Sequence, residues 1–226
     1  MDKEQILSAL AKAKDISGKR NFNQSFDLII NLTGLDVKKQ EHQVDSFITL
    51  PHSKGKKAKV CALIGPELEE QAKSVCDSFI LSDAFDRYKD KKEIKKLAAN
   101  FDFFIAQANI MPKVATAFGR VLGPRGKMPN PKSGSVVPPN ANLKPLYEKL
   151  QKTVRATTKS APLIQCGIGK ENMDLNDIAE NALTVYNSLL QVLPNEKHNI
   201  KGIYVKLTMG MPVKVGEKTE AAKAKK

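Results

Sequence analysis

Two polar breaks divide the hydrophobic pattern of this sequence, and they constrain its fold more than any other feature. Residues 51–59 (PHSKGKKAK) and 157–162 (TTKSAP) lack apolar periodicity and have the composition of linkers or exposed loops. Each flank outside the breaks combines a helical pattern with amphipathic strands. The simplest arrangement is a discontinuous α+β outer domain, residues 1–57 and 157–226, with an inserted doubly wound α/β domain at 58–156. Two or three sequential domains are the alternative.

Between the breaks, strand patterns alternate with helical patterns. The predicted strands are 60–64, 79–81 and 101–106, and the predicted helices are 67–75, 91–99, 112–121 and 143–154. Such alternation is typical of a parallel sheet that is covered by helices on both faces. Pro112 is compatible with this interpretation because the first turn of a helix tolerates proline.

The flanks show the patterns of a one-sided sheet with helices. The predicted helices are 2–14 and 174–193, and the predicted strands are 26–32, 44–50, 163–168 and 203–209. The short connection between the first two strands favours their antiparallel pairing. Apolar residues of the last strand alternate with Tyr204, Lys206 and Thr208, so one face of this strand is predicted to be open. Residues 215–226 are polar and low in complexity, which predicts a frayed tail.

The chain carries a large positive charge. Its 226 residues include 37 Lys and Arg against 24 Asp and Glu, which gives a formal net charge of +13. The hydrophobic fraction of 41% is enough to build a core and excludes a disordered chain. A charge excess of this size predicts a polyanionic partner, and nucleic acid is the usual one. A basic protein whose charge serves solubility alone is the alternative.

The three cysteines, Cys61, Cys76 and Cys166, are far apart and belong to no C-x-x-C pair. Neither a disulfide framework nor a zinc cluster is predicted, and a reducing cytoplasm fits best. The N-terminal residues lack the apolar run of a signal peptide, and no stretch approaches the roughly 20 apolar residues that span a bilayer. We therefore expect a cytoplasmic protein without a membrane partner.

No catalytic, metal or cofactor site is indicated by the sequence. The Gly-Lys pairs at 126–127 and 169–170 lack the preceding glycine and the following hydroxyl residue that a phosphate-binding loop requires. His42, His52 and His198 are scattered and show no metal-ligand spacing. An enzyme that uses a nucleotide or a phosphorylated metabolite on the α/β domain is kept as the alternative function, because doubly wound sheets host many activities.

The segment 122–139 (LGPRGKMPNPKSGSVVPP) is the most unusual stretch. It contains five prolines, three glycines and three basic residues in eighteen positions, a composition poorly suited to a helix or a central strand. One interpretation is a rigid surface loop. The functional alternative is that the prolines fix the backbone while Arg125, Lys127 and Lys132 project towards phosphates of a partner.

Six collinear segments resemble one protein family. GPRGKMPNPKSG at 123–134 resembles the signature of the ribosomal protein L1 family, which belongs to the mobile stalk of the large ribosomal subunit. The other five are NFNQSFDLIINL, LPHSKGKKAKV, DFFIAQANIMP, GIGKENM and YVKLTMGMPVKV. The resemblance covers nearly the whole chain, and DFFIAQANIMP together with LTMG is similar to the archaeal branch.

The resemblance implies an outer domain made from both chain ends and an α/β domain inserted through two hinge strands. It also implies a protein without enzymatic activity that binds large-subunit ribosomal RNA at the base of the stalk and helps deacylated transfer RNA leave the exit site. Many members repress translation by binding their own messenger RNA, so we expect the same here, and off the ribosome we expect a monomer. A free translational repressor that never joins ribosomes is a further alternative.

The resemblance also implies RNA contacts at the ends of two strands. The positions are Phe26, Lys206, Thr208, Met209 and Gly210, to which Lys38, Lys39 and Lys170 are added as phosphate contacts. Structured RNA is recognised by its shape, its phosphates and its 2′-hydroxyl groups. A threonine hydroxyl, an adaptable methionine and a glycine without Cβ suit those targets. Phe26 is equally consistent with packing in the core.

Two positions depart from the family pattern. Gly202 stands where members often carry a hydroxyl residue, and Asp45 stands where they often carry a basic residue. We therefore expect part of the usual contact network to be missing.

Overall fold

A computed structural model describes residues 1–36, 39, 42–88, 90–158 and 161–216. The chain divides into two compact units. The terminal unit comprises Met1–Lys56 and Lys152–Lys226, and the inserted unit comprises Lys57–Gln151. The predicted tail at 215–226 lies outside the described residues from 217 onwards.

The helices and strands follow most of the predicted segments. In chain order they are α1 (Lys3–Ile16), β1 (Ser25–Leu32), β2 (Asp45–Thr49), β3 (Val60–Ile64), α2 (Glu69–Val75), β4 (Ser78–Leu81), α3 (Lys91–Asn100), β5 (Phe103–Gln107), α4 (Met111–Leu122), β6 (Val136–Val137), α5 (Leu143–Lys152), β7 (Thr153–Thr157), β8 (Leu163–Lys170), α6 (Leu175–Val192), β9 (Ile200–Leu207) and β10 (Val213–Lys214). The mixed α/β and α+β fold class is confirmed.

The terminal unit is built on an antiparallel sheet with the order β10-β9-β1-β8. Its side chains alternate along β1: Phe26, Leu28 and Ile30 are buried, whereas the residues between them are partly exposed. The buried side chains pack against α1 and α6 in one core. The other face of this sheet, which we call the open face, carries the partly exposed residues.

The predicted pairing of the first two strands is wrong. Strand β1 pairs with β8 and β9, and β2 instead pairs antiparallel with β7. The first two residues of β7, Thr153 and Val154, had been predicted as the end of a helix, but such β-branched residues favour a strand over a helix. The chain therefore returns to the terminal unit at Lys152, ahead of the predicted boundary at 157.

The inserted unit contains the predicted parallel sheet, with the order β4-β3-β5-β6. All five residues of β3 are buried, as a strand covered on both faces requires. Alternate residues enter two different cores. Leu63 packs with Phe104 and Phe118 on the side of α3 and α4, and Ile64 packs with Leu143 on the side of α2 and α5.

The proline-rich segment 122–139 is a loop that also contains the two-residue edge strand β6, and two of its three basic side chains bond to carbonyls of the chain. Lys127 donates hydrogen bonds to the carbonyl oxygens of Ala98 and Phe101, at 2.8 and 2.7 Å. Arg125 donates to the carbonyl of Lys95 at 3.0 Å. The contacts of Lys127 satisfy carbonyls at the end of α3, where a cation is favoured. The Lys127 ammonium group is therefore engaged within the chain. Arg125 is exposed and keeps further N–H donors, so the functional alternative stays a prediction for Arg125. Lys132 is exposed and its ammonium group has no hydrogen bond in the described part of the chain.

A buried glutamine lies at the place in the inserted sheet where open α/β sheets often bind cofactors. Open α/β sheets bind ligands where the strand order reverses, which here lies between the carboxyl ends of β3 and β5. Gln107, only 3% exposed, accepts a hydrogen bond from the Gly65 N–H at 2.9 Å and donates to Glu67 at 2.8 Å. The amide occupies this position, and the Glu67 carboxylate beside it would repel a phosphate.

Lys127→Met is expected to lower the free energy of unfolding of the inserted unit by about 1–3 kcal/mol, because two carbonyls lose a charged donor. The change can be measured by urea unfolding combined with hydrogen exchange of the α3 amides. Lys132→Met is the matched control and should change stability by less than about 0.5 kcal/mol. Equal stability of the two variants would contradict the capping role of Lys127.

Candidate RNA-binding surface

Three neighbouring strands end together at one edge of the open face. Ser25, the first residue of β1, is paired with Lys170 at the end of β8. On its other side the Thr208 N–H donates to the Ser25 carbonyl at 3.0 Å, directly after β9. Lys170 and Thr208, both predicted site residues, are therefore brought to opposite sides of Ser25. We call this region the strand end.

The Thr208 hydroxyl group is engaged in the pairing of these strands. It accepts a hydrogen bond from the Ser25 N–H at 3.1 Å and donates to the Ser25 carbonyl at 3.2 Å. A hydroxyl group has one proton and two lone pairs, so an acceptor position is what remains for a partner. Thr208 is exposed and can accept a hydrogen bond from a 2′-hydroxyl group.

Met209 and Gly210 form a turn that rests on a buried amide. Gln24, 0% exposed, accepts from the Met209 N–H at 3.1 Å and donates to the Ser17 hydroxyl at 3.2 Å. A Cβ at Gly210 would lie 3.3 Å from the Ser17 Cβ, so a larger residue here would press on the end of α1. The Met209 side chain is 61% exposed.

Phe26 belongs to the core of the terminal unit. Its side chain is 0% exposed, because it points to the helix-covered face of β1, and it offers no surface to a partner. The sequence reasoning missed Phe22, which is 52% exposed and precedes Gln24 by two positions. A single phenylalanine in the polar stretch GKRNFNQ was the signal that could have identified it.

Exposed apolar side chains are concentrated around the same turn. Four of the five large hydrophobic residues that are exposed in the described part of the chain lie within two positions of Ser17, Gln24 or Gly210: Ile16, Phe22, Met209 and Met211. Exposed apolar residues that gather at one place are typical of an interaction site.

Next to the strand end, an acidic and a basic residue face each other across two neighbouring strands of the open face. Asp27 on β1 is directly opposite Lys206 on β9, and both line a depression of about 230 Å³. Burial raises the pKa of the Asp27 carboxyl, and the charge of Lys206 partly opposes this rise.

Cys166 lines the same depression. Burial raises the pKa of its thiol to about 12, so this thiol has little thiolate character at neutral pH.

The remaining predicted lysines are placed differently. Lys39 is exposed and its N–H donates to the Asp36 carbonyl at 3.1 Å, beyond the far end of β1. Strand β1 itself is about 23 Å long at roughly 3.3 Å per strand residue. Lys39 is not brought to the strand end. Lys38 lies outside the described residues.

The two departures from the family pattern have local explanations. Tyr204 covers Gly202, because a Cβ at position 202 would lie 3.2 Å from the tyrosine ring and 3.5 Å from its hydroxyl oxygen. Asp45 accepts two hydrogen bonds from the guanidinium of Arg155, at 2.7 and 2.8 Å, across the β2–β7 pair. These hydrogen bonds raise the pKa of Arg155, and the two charges cancel each other locally.

Within the described ranges, no group of three or more His, Cys, Asp or Glu side chains could hold a metal ion. No helix among the described residues is long and apolar enough to cross a membrane.

These features define a protein with a split α+β unit, an inserted α/β unit and one well-formed strand end. The model of the ribosomal protein L1p/L10e family matches residues 10–211, and the chain belongs to this family. Similar archaeal proteins carry the name large ribosomal subunit protein uL1. The protein of Methanocaldococcus jannaschii is 40% identical over 226 residues, covering 100% of both chains. That of Methanothermococcus thermolithotrophicus is 41% identical over 95% of this chain and 99% of its own, and that of Nanoarchaeum equitans is 43% identical over 87% and 93%.

Asp27→Asn is expected to stabilise the terminal unit at pH 7 by less than about 1 kcal/mol, since the site is partly screened by solvent. A carboxyl whose pKa is raised in the folded state stabilises the fold while it is protonated, and this contribution is lost as the pH rises through the folded pKa. The advantage of the asparagine variant should therefore disappear as the pH falls.

Urea unfolding across a pH series measures this difference, with Asp15→Asn as the control that removes the same charge from an exposed position. A variant of Asp27 that is less stable than the parent at pH 7 would show that the attraction of Lys206 outweighs burial.

Proposed function

We propose that this chain is a structural constituent of the large ribosomal subunit and binds ribosomal RNA at the strand end. The observation that carries the proposal is the meeting of Lys170, Thr208 and Met209 around Ser25, beside the exposed Phe22. The relatives' name, large ribosomal subunit protein uL1, supports the same assignment. The protein acts in the cytoplasm, on the ribosome, and is a monomer when it is free.

The chemistry of the strand end matches that of folded RNA. Such RNA presents 2′-hydroxyl groups and phosphates, and its bases become accessible where they are unstacked. The acceptor position of Thr208 fits a 2′-hydroxyl donor, and the ammonium groups of Lys170 and Lys206 fit phosphates. Phe22 and Met209 offer apolar surface against which an unstacked base can lie. Gly210 lets the backbone of the turn sit close to α1 and holds Met209 in place.

Two features adjust this surface in the present chain. The Tyr204 hydroxyl stands next to the position where a hydroxyl residue is absent at Gly202, and supplies a hydrogen-bonding group there. Asp45 neutralises Arg155, so the β2–β7 pair adds little attraction for phosphates. Within the terminal unit, the proposed RNA contacts therefore lie on the open face and at the strand end rather than on the β2–β7 pair.

The same surface would serve two further roles. Binding of ribosomal RNA holds the protein on the stalk, where it would help deacylated transfer RNA leave the exit site. A messenger RNA that folds like the ribosomal site would compete for the strand end, so the protein would repress translation of its own message. A nucleotide-using enzyme is disfavoured because Gln107 and Glu67 occupy the crevice where a cofactor would bind.

RNA affinity should fall steeply with salt. If about six phosphates are neutralised, the affinity for a ribosomal RNA fragment should decrease by about three orders of magnitude between roughly 50 and 200 mM salt. Filter binding or fluorescence anisotropy over a salt series measures this slope. An affinity that does not change with salt would rule out the proposed mode of binding.

Thr208→Val is expected to weaken specific RNA binding about tenfold, because the acceptor is lost and the support of Ser25 is weakened. Met209→Ala should weaken it by loss of apolar contact. Thr208→Ser keeps the hydroxyl and should bind nearly as tightly as the parent.

Thr184→Val is the matched control, because the Thr184 hydroxyl bonds within α6 to the Glu180 carbonyl at 2.9 Å. It should leave RNA affinity unchanged. If Thr208→Val and Met209→Ala bind RNA like the parent, with folds verified by circular dichroism, the strand end is not the site.

A further inference from the structure

An open cleft lies on the inserted unit between α3, α4 and the short helical turn Ser82–Arg87. Its volume is about 670 Å³, within the range of small-molecule sites in proteins. The crevice filled by Gln107 is elsewhere, at the carboxyl ends of β3 and β5. Nothing in the fold of the inserted unit requires a cleft between these helices.

One wall of the cleft carries charged and polar groups at regular helical spacing. Lys113, Thr116 and Arg120 occupy positions i, i+3 and i+7 of α4 and therefore share one face. At 1.5 Å per residue, Lys113 and Arg120 are about 10 Å apart along the helix. Within the described residues neither side chain has a hydrogen bond or an ion pair, so both cations are available to a ligand. Lys91 adds a third unpaired cation from the start of α3.

The floor of the cleft is apolar. Phe85, Ile94 and Val121 form it from below and are largely buried, and the smaller Ala117 is partly exposed between them. This floor can cover one flat face of a ligand without contributing charge.

The short helical turn Ser82–Arg87 adds two exposed carboxylates to the lining, Asp83 and Asp86. A site for an inorganic anion alone would gain nothing from them, and a site for a metal ion would gain nothing from the three cations. A ligand that has an anionic end, a flat apolar middle and N–H or O–H donors matches all three parts. A nucleotide has this combination.

We propose that this cleft binds one nucleotide unit. Its phosphate lies between Lys113 and Arg120, its base covers the apolar floor, and Asp83 and Asp86 accept hydrogen bonds from the base or the ribose. The nucleotide is either free or an unstacked residue of an RNA chain. The cleft is on the inserted unit and the strand end is on the terminal unit, so nucleotide binding at the cleft can be tested independently of the proposed function.

The test uses the full chain and two photoreactive probes, 4-thiouridine 5′-monophosphate and a tetranucleotide that contains one 4-thiouridine. Crosslinked peptides are identified by mass spectrometry, and apparent affinities come from crosslinking yield against probe concentration. We expect crosslinks within residues 82–94 or 112–121. Tighter binding of the tetranucleotide would identify RNA as the source, and binding of the monophosphate at least as tight would identify a free nucleotide.

Two variants probe the cleft by different means. Lys113→Ala combined with Arg120→Ala removes the phosphate contacts, and Ala117→Met fills the floor without a change of charge. Each should weaken the crosslink at least about tenfold. Lys92→Ala combined with Lys96→Ala is the matched control, because it removes the same charge from exposed positions of α3 that do not line the cleft.

The proposal is overturned if no crosslink at millimolar probe maps to residues 82–94 or 112–121, whether or not the strand end is crosslinked, or if the control variant loses as much as the cleft variant. Normal binding by Ala117→Met would also overturn it. The affinity of every variant for a ribosomal RNA fragment is measured in parallel. Retention of that affinity separates a failure at the cleft from a failure at the strand end.

Discussion

The central position of β1 is the constraint on which the rest of this structure depends. This strand comes from the N-terminal part of the chain, yet it forms antiparallel hydrogen bonds with β8 and β9 from the C-terminal part. Residues 57–151 must therefore leave the terminal unit and return to it before the sheet is complete. The same pairing brings Lys170 and Thr208 to the two sides of Ser25, so the sheet and the candidate site arise from one set of hydrogen bonds.

Helices and strands with a regular pattern of buried apolar residues could be predicted from the local sequence. Strands whose formation depends on a partner far away in the sequence could not. Strand β3 is apolar at every position, and α6 has a long apolar stripe, so both were predicted nearly to the residue. Strand β7 was missed because Thr153–Thr157 follows a helical pattern directly and gains its partner, β2, more than a hundred positions away. The partner of a strand depends on the whole fold, and short sequence separation was a poor guide to it here.

Side-chain roles were harder to predict than elements, because each depends on direction as well as position. Phe26 and Phe22 are four residues apart, but one points into the core and the other into solvent. A phosphate contact was one of two interpretations for Lys127, and its ammonium group instead bonds to carbonyls at the end of α3, almost thirty positions earlier in the sequence. A basic residue in a loop can bind phosphates of a partner or carbonyl oxygens of its own chain. Which of the two it binds depends on where the folded backbone places those carbonyls.

The side-chain amide of Gln107 forms hydrogen bonds at the place where many open α/β sheets bind a cofactor. It links the backbone after β3 to the carboxylate that follows it, through hydrogen bonds at 2.9 and 2.8 Å. Folds that rely on a small molecule for this link loosen when the molecule is scarce. Here the link is part of the chain, so the loop after β3 is held to the end of β5 by the protein's own hydrogen bonds.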